Sequence, residues 1–177
     1  MKPKPSPRAT GYLTGTSPAG WLGVVAGPVG LVEIIFAPSA AALEERLAQA
    51  YPLLPQAQDG LCAAALGQLR DYFAGRRRCF DLPLDLQGLT PFARDILTAL
   101  LQVPAGATIG YGELATLVGH PGAARAVGRV MANNPLPLVI PCHRVVGSGG
   151  ALAGYSAAAG TTTKEWLLEF ERRFSRK

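Results

Sequence analysis

Glycine and proline interrupt this chain so often that only short helices and strands fit between them. There are 21 Gly and 15 Pro in 177 residues, and their clusters mark turns and helix ends. Gly27-Pro28 separates two apolar runs, 21–26 and 29–36, and reads as a hairpin turn. A shorter strand is expected over 10–15. Ser39 is placed to cap a helix running to Ala50. Leu61, Ala65, Leu69 and Tyr72 recur at helical spacing in a second helix over 61–74. The charged, Pro-rich residues 1–9 read as a disordered tail.

Residues 81–89 read as a connector, and the remainder is helical. Thr90 is a good N-cap and Pro91 suits a first helical turn, predicting a helix to about residue 102. Pro104-Ala105-Gly106 breaks it. Short helices follow over 111–118 and 123–132, joined by the turn Gly119-His120-Pro121-Gly122. The second is slim, with Ala123, Ala124, Ala126 and Gly128. Two short helices across a four-residue turn form a helix-turn-helix pattern, which any small helical domain can also show. Asn133-Asn134-Pro135 stops the second helix, and a short apolar strand over 136–140 leads to Pro141-Cys142-His143. Residues 157–163 read as a loop and 164–174 as a closing amphipathic helix. The fold class is therefore α+β, with units over 10–80 and 90–177.

Composition removes several functions. With 49% apolar and 16% charged residues, global disorder is excluded, and no stretch has membrane-spanning length. The net charge of +5 is compatible with a polyanion partner. Its clusters (Lys2, Lys4 and Arg8; Arg76–Arg78; Arg172, Arg173, Arg176 and Lys177) can equally be solvated surface. Three cysteines, Cys62, Cys79 and Cys142, make no complete disulfide framework. No secretory leader is evident, so a cytoplasmic, reducing setting is expected, in which Cys142 stays a free thiol.

Cys142-His143 is the candidate reactive pair. A thiol attacks only as thiolate, and an adjacent imidazole can take its proton directly or through a water. A carboxylate behind the imidazole fixes its tautomer, and the last helix offers Glu165, Glu169 and Glu171. The alternative is a buried apolar Cys142 beside a satisfied polar His143.

Six segments in this order carry a resemblance. They are Tyr111-Gly-Glu-Leu-Ala, Ala123-Ala-Arg-Ala-Val-Gly, Asn134-Pro, Ile140-Pro-Cys-His-Arg-Val-Val, Gly154-Tyr-Ser and Lys164-Glu-Trp-Leu-Leu. Together they resemble the methylated-DNA–protein-cysteine methyltransferases, the 6-O-alkylguanine-DNA alkyltransferases. The match is strong over about 88–172 and looser over 11–36, where 16–20 and Gly30-Leu31 look like the family's N-terminal sheet. Residues 40–80 match in layout only.

The resemblance implies an RNase H-like N-terminal domain and a C-terminal domain that binds duplex DNA through the minor groove. It implies flipping of an alkylated guanine and irreversible transfer of the alkyl group from its 6-oxygen to Cys142, with the 4-oxygen of thymine a lesser substrate. His143 and Glu171 then activate Cys142 through a water, and Tyr111 serves the guanine leaving group. Asn134 is the hinge asparagine. Arg125 fills the gap left by the base, while Ala124 and Gly128 allow close approach to DNA. Met131, Val145, Tyr155 and Ser156 form the base pocket, and Pro137, Gly147 and Gly149 shape turns. No cofactor, metal or membrane is implied, and a monomer, open to cooperativity on DNA, is expected. The loop over 157–163 is longer than in familiar members, which bears on bulky alkyl groups.

Three other readings remain beside this one. A non-catalytic binder of alkylated bases would lack the cysteine. A cysteine hydrolase would need an oxyanion site, for which no motif is present. A transcription regulator would rest on the helix pair alone.

Overall fold

The computed structural model describes residues 8–58, 60–152 and 160–175. The chain divides into two compact units, Met1–Gly88 and Leu89–Lys177.

The first unit is built on an antiparallel meander of β1 (Gly11–Ser17), β2 (Gly20–Ala26) and β3 (Leu31–Ala37), in that spatial order. β2 and β3 read as nearly unbroken apolar runs because both sheet faces are covered. Gly23 of β2 faces Leu43 and Leu47 of α1 (Ala40–Ala50), a Cβ there lying 3.2 Å from Leu43. Gly15 pairs with Leu22 and faces Leu66 of α2 (Gly60–Phe73), again at 3.2 Å. Adjacent strand positions point to opposite faces, so α1 and α2 sandwich the sheet. Ser39 caps α1, its side chain accepting from the Ala42 N–H.

Both sheet edges are occupied. Tyr12 of β1 bridges to Gln56, and Leu31 of β3 bridges to Leu84. The Leu31 N–H donates to Pro83 O and the Asp85 N–H to Leu31 O, each at 2.8 Å. The residues expected to be a bare connector are therefore pinned to β3. Gly30 is required there, since a Cβ would meet the Pro83 backbone at 2.6 Å.

The second unit packs α3 (Pro91–Leu100), α4 (Tyr111–Leu117) and α5 (Ala124–Ala132) together. Thr90 caps α3 through the Ala93 N–H. Val127 and Met131 bury one face of α5, while Arg125 and Arg129 lie exposed on the other. Two short strands, β4 (Ile109–Gly110) and β5 (Val145–Val146), pair in parallel. The last helix, α6 (Thr161–Ser175), begins three residues earlier than expected, so Thr161–Thr163 are helix and not loop.

The apolar residues 136–140 do not form the expected strand. The Ile140 N–H donates to Leu136 O at 2.8 Å, closing a turn, and Leu138 takes a left-handed φ of 74°. Such a backbone costs a non-glycine residue about 1 kcal/mol or more. Leu138 is 1% exposed, so burial of its side chain offsets that strain. Tyr155 and Ser156, with 157–159 of the expected loop, lie outside the described residues.

Candidate active site

Cys142, His143 and Arg144 form a single 3-10 turn between the Leu138 turn and β5. Pro141 introduces it, and the Arg144 N–H closes it on Pro141 O at 2.9 Å. All three side chains are buried, with Cys142 5% exposed and His143 fully enclosed. A buried polar cluster survives only where its members satisfy one another.

α6 supplies the partners. Of the three glutamates on this helix, Glu171 is buried and reaches the turn, whereas Glu165 and Glu169 are exposed. Glu169 instead pairs along the helix surface with Arg172 and Arg173. His143 Nε2 lies 2.9 Å from Glu171 Oε1. Arg144 grips the same carboxylate with two nitrogens, Nε to Oε2 at 3.0 Å and Nη2 to Oε1 at 2.8 Å. The Gly106 N–H donates to Oε2 at 3.0 Å. Arg144 Nη1 donates to Val103 O.

This geometry fixes the imidazole tautomer. Burial pushes the Glu171 carboxyl up, but the hydrogen bond from His143 and the hydrogen bonds and charge of Arg144 outweigh it and hold the group far below the usual carboxylate range. An ionised carboxylate only accepts, so Nε2 carries the hydrogen and Nδ1 is a bare acceptor. Nδ1 is buried with no hydrogen-bond partner among the described residues. Burial pushes the His143 pKa down, Glu171 opposes that, and Arg144 and Lys164 add to it. The ring is thus a neutral base with an open site.

Burial pushes the Cys142 thiol up, and the Asn134 side chain and the Lys164 charge pull it back. The resting sulfur is therefore a thiol. Asn134 also braces the approach to the turn. Its Nδ2 donates to Ile140 O at 2.9 Å, and its Oδ1 accepts the Leu136 N–H at 3.0 Å. Tyr111 opens α4 at the end of β4, and burial and the Cys142 charge both raise its hydroxyl. Gly128 of α5 sits against its ring, where a Cβ would approach to 4.0 Å. Val145 and Met131 are buried, while Ala124 is half-buried.

Two functional groups escaped sequence reasoning. Lys164 is fully buried, its Nζ donating to Val145 O at 2.7 Å and lying 5.8 Å from the centre of the Tyr111 ring. Arg144 is the carboxylate clamp. Each stands inside a segment that carries the resemblance, and that placement was the available signal. Lys and Arg read by default as solvated surface. Among the described residues no group of three or more His, Cys, Asp or Glu is placed to hold a metal, and no helix is long and apolar enough to cross a membrane.

Residues 91–173 match the family described as 6-O-methylguanine DNA methyltransferase, DNA binding domain. The chain is 47% identical over 113 residues to a Mycobacterium tuberculosis methylated-DNA–protein-cysteine methyltransferase, covering 64% of this chain and 67% of the relative. It is 48% identical over 104 residues to the Salmonella typhimurium protein of that name, covering 59% and 60%. The fold resembles the crystal structure of Mycobacterium tuberculosis O6-methylguanine methyltransferase, with a TM-score of 0.75, 38% identity and coverage of 92% and 93%. A structure of Mycobacterium tuberculosis OGT in complex with DNA gives a TM-score of 0.76 at 37% identity, covering 92% and 93%. The α+β architecture with its small antiparallel sheet is shared with these structures. On this identity and coverage, the chain belongs to the methylated-DNA–protein-cysteine methyltransferase family.

Proposed function

We propose that the protein repairs DNA by moving a methyl or larger alkyl group from the 6-oxygen of guanine to Cys142 Sγ. The observation that carries this reading is the buried thiol beside a neutral imidazole with an open Nδ1, backed by Glu171. The Cys142 proton passes through a water to His143 Nδ1, and the Glu171 carboxylate stabilises the imidazolium. The thiolate then attacks the alkyl carbon. A sulfur–carbon bond forms, the carbon–oxygen bond breaks, and its electron pair goes to the guanine. Tyr111 gives that leaving group a proton or hydrogen bond. The buried Lys164 ammonium favours charge on the sulfur. A thioether has no easy hydrolytic route back, so each molecule acts once.

The alkyl carbon is out of a thiolate's reach inside a duplex, so the base must be flipped. α4 and α5 act as a helix-turn-helix, with α5 in the minor groove. Arg125, exposed on α5, fills the vacated stack, and Ala124 and Gly128 leave room for close approach. Phosphate contacts dominate affinity there, with little base-specific readout. Met131, Val145, Tyr155 and Ser156 enclose the flipped base, and Asn134 is the hinge between the helix pair and the active-site turn. The 4-oxygen of thymine is a lesser substrate, and the first unit is RNase H-like.

Mass spectrometry after mixing with duplex DNA containing 6-O-methylguanine tests the proposal. One added methyl on Cys142, with stoichiometric loss of activity, is expected. An unmodified protein that stays bound, or catalytic turnover, refutes it.

A further inference from the structure

A carboxylate facing a lone imidazole favours the protonated ring. An imidazolium cannot accept a thiol proton, so a Glu–His pair by itself tends to fill the base before it is needed. At this site the carboxylate is shared. Arg144 takes both oxygens of Glu171 in a planar fork, at 3.0 and 2.8 Å, while His143 holds Oε1 alone at 2.9 Å. Arg144 is 4% exposed, so water screens the pair little. It cannot swing away, because Nη1 is tied to Val103 O and the carboxylate is tied to the Gly106 N–H.

We infer that Arg144 is a positioning residue that keeps the base empty: its buried charge compensates the Glu171 charge, so that His143 rests neutral with Nδ1 open to the thiol proton. This rests on the alkyl-transfer reading above. The other groups facing this centre do not substitute for it. Lys164, also on α6, is engaged with Val145 O and the Tyr111 ring and bears on the sulfur. Cys142, from the same turn, is a neutral thiol at rest, and Tyr111, from α4, is a neutral phenol. Burial, the Arg144 charge and the weaker Lys164 charge act on His143 in the same direction, against Glu171. The fork has a second effect. Val103 and Gly106 lie in the segment leading to β4 and Tyr111, so the group that tunes the base also steadies the strand presenting the phenol.

The chain contains two histidines, His120 and His143, so the His143 ring can be followed by NMR titration of the full-length protein. In the wild type, His143 stays neutral with its hydrogen on Nε2. In R144Q, His143 takes up its proton at higher pH than in the wild type. The acid limb of single-turnover methyl transfer moves up with it, so the rate near about pH 6.5 falls roughly tenfold and recovers in base. R144K keeps the charge and keeps the wild-type limb. The inference is overturned by an unshifted His143 titration in R144Q, or by a rate loss equal at every pH. If R144Q does not fold, as judged by circular dichroism, the wild-type ring and R144K decide. An imidazolium in the wild type at about pH 7, or an R144K limb displaced to higher pH, also overturns it. Failure of the wild type to methylate Cys142 would sink the repair reading, while the titration would still judge Arg144.

Discussion

Two buried cysteines, one in each unit, show what makes a thiol reactive. Cys62 on α2 is 3% exposed and Cys142 is 5% exposed, and burial raises the pKa of both. Cys62 Sγ lies 3.6 Å from Gly11 O and 3.6 Å from Val24 O, backbone groups that cannot take up a proton at neutral pH. Cys142 adjoins a neutral imidazole with an open nitrogen, an asparagine amide and a buried ammonium. Burial withdraws a thiol from water. A base and a cation at the same depth are needed to make it usable.

The largest expected effect separates the two thiols outright. Cys142→Ala abolishes methyl uptake, read as the missing mass increment, yet keeps DNA binding. Cys62→Ala leaves the transfer rate unchanged and costs about 1 kcal/mol of stability for the lost sulfur. A Cys62→Ala protein that no longer accepts methyl would break the comparison. Next in size is Glu171→Gln, which leaves the buried Arg144 without its counter-charge. It should lose about 3–5 kcal/mol in urea unfolding and slow transfer by about 10²-fold.

A third effect sharpens the contrast through pH. Both histidines lie in the second unit. Folding holds His143 below its ordinary value, so as pH falls the unfolded chain takes up a proton first. Stability is thus lost as pH drops below about 6.5 towards the folded value. Glu171 has the same sign further down. Its stabilisation is present above the ordinary carboxylate value, about 4.3, and is lost as pH falls from there through the depressed folded value. Amide hydrogen exchange should therefore accelerate in α6 before β2 on acidification, and His143→Gln should flatten the first step. Equal acceleration in both would count against it. The smallest effect falls alike on the two units. Ser39→Ala and Thr90→Ala each remove a helix N-cap and should each cost about 1 kcal/mol in thermal unfolding.

Local chemistry makes much of the fold legible in the amino-acid sequence. The caps at Ser39 and Thr90 are readable because their partners lie three residues away in sequence. Glu171 comes from the family's spacing, and its burial against His143 is what a solvated helix face could not have shown. What escapes depends on contacts distant in sequence. The link between Arg144 and Glu171 spans 27 residues, and a basic residue carries no local sign of burial. The docking of Pro83–Asp85 on Leu31 is a single bridge, too short to leave a pattern. Leu136–Ile140 reads as extended because its residues are apolar, yet a side-chain bond from Asn134 and a left-handed Leu138 fold it into a turn. Thr161–Thr163 are β-branched and poor helix formers, so tertiary packing of α6 overrides their preference.

The depth of Cys142 bears on how long the protein keeps before use. Peroxide and small electrophiles in the medium react with exposed thiolates, and this sulfur is 5% exposed and rests as a thiol. Exposed Cys79 offers itself to such reagents first. For a protein that the proposed reaction consumes in one event, that difference is shelf life: the acceptor stays fresh until a damaged base is brought to it.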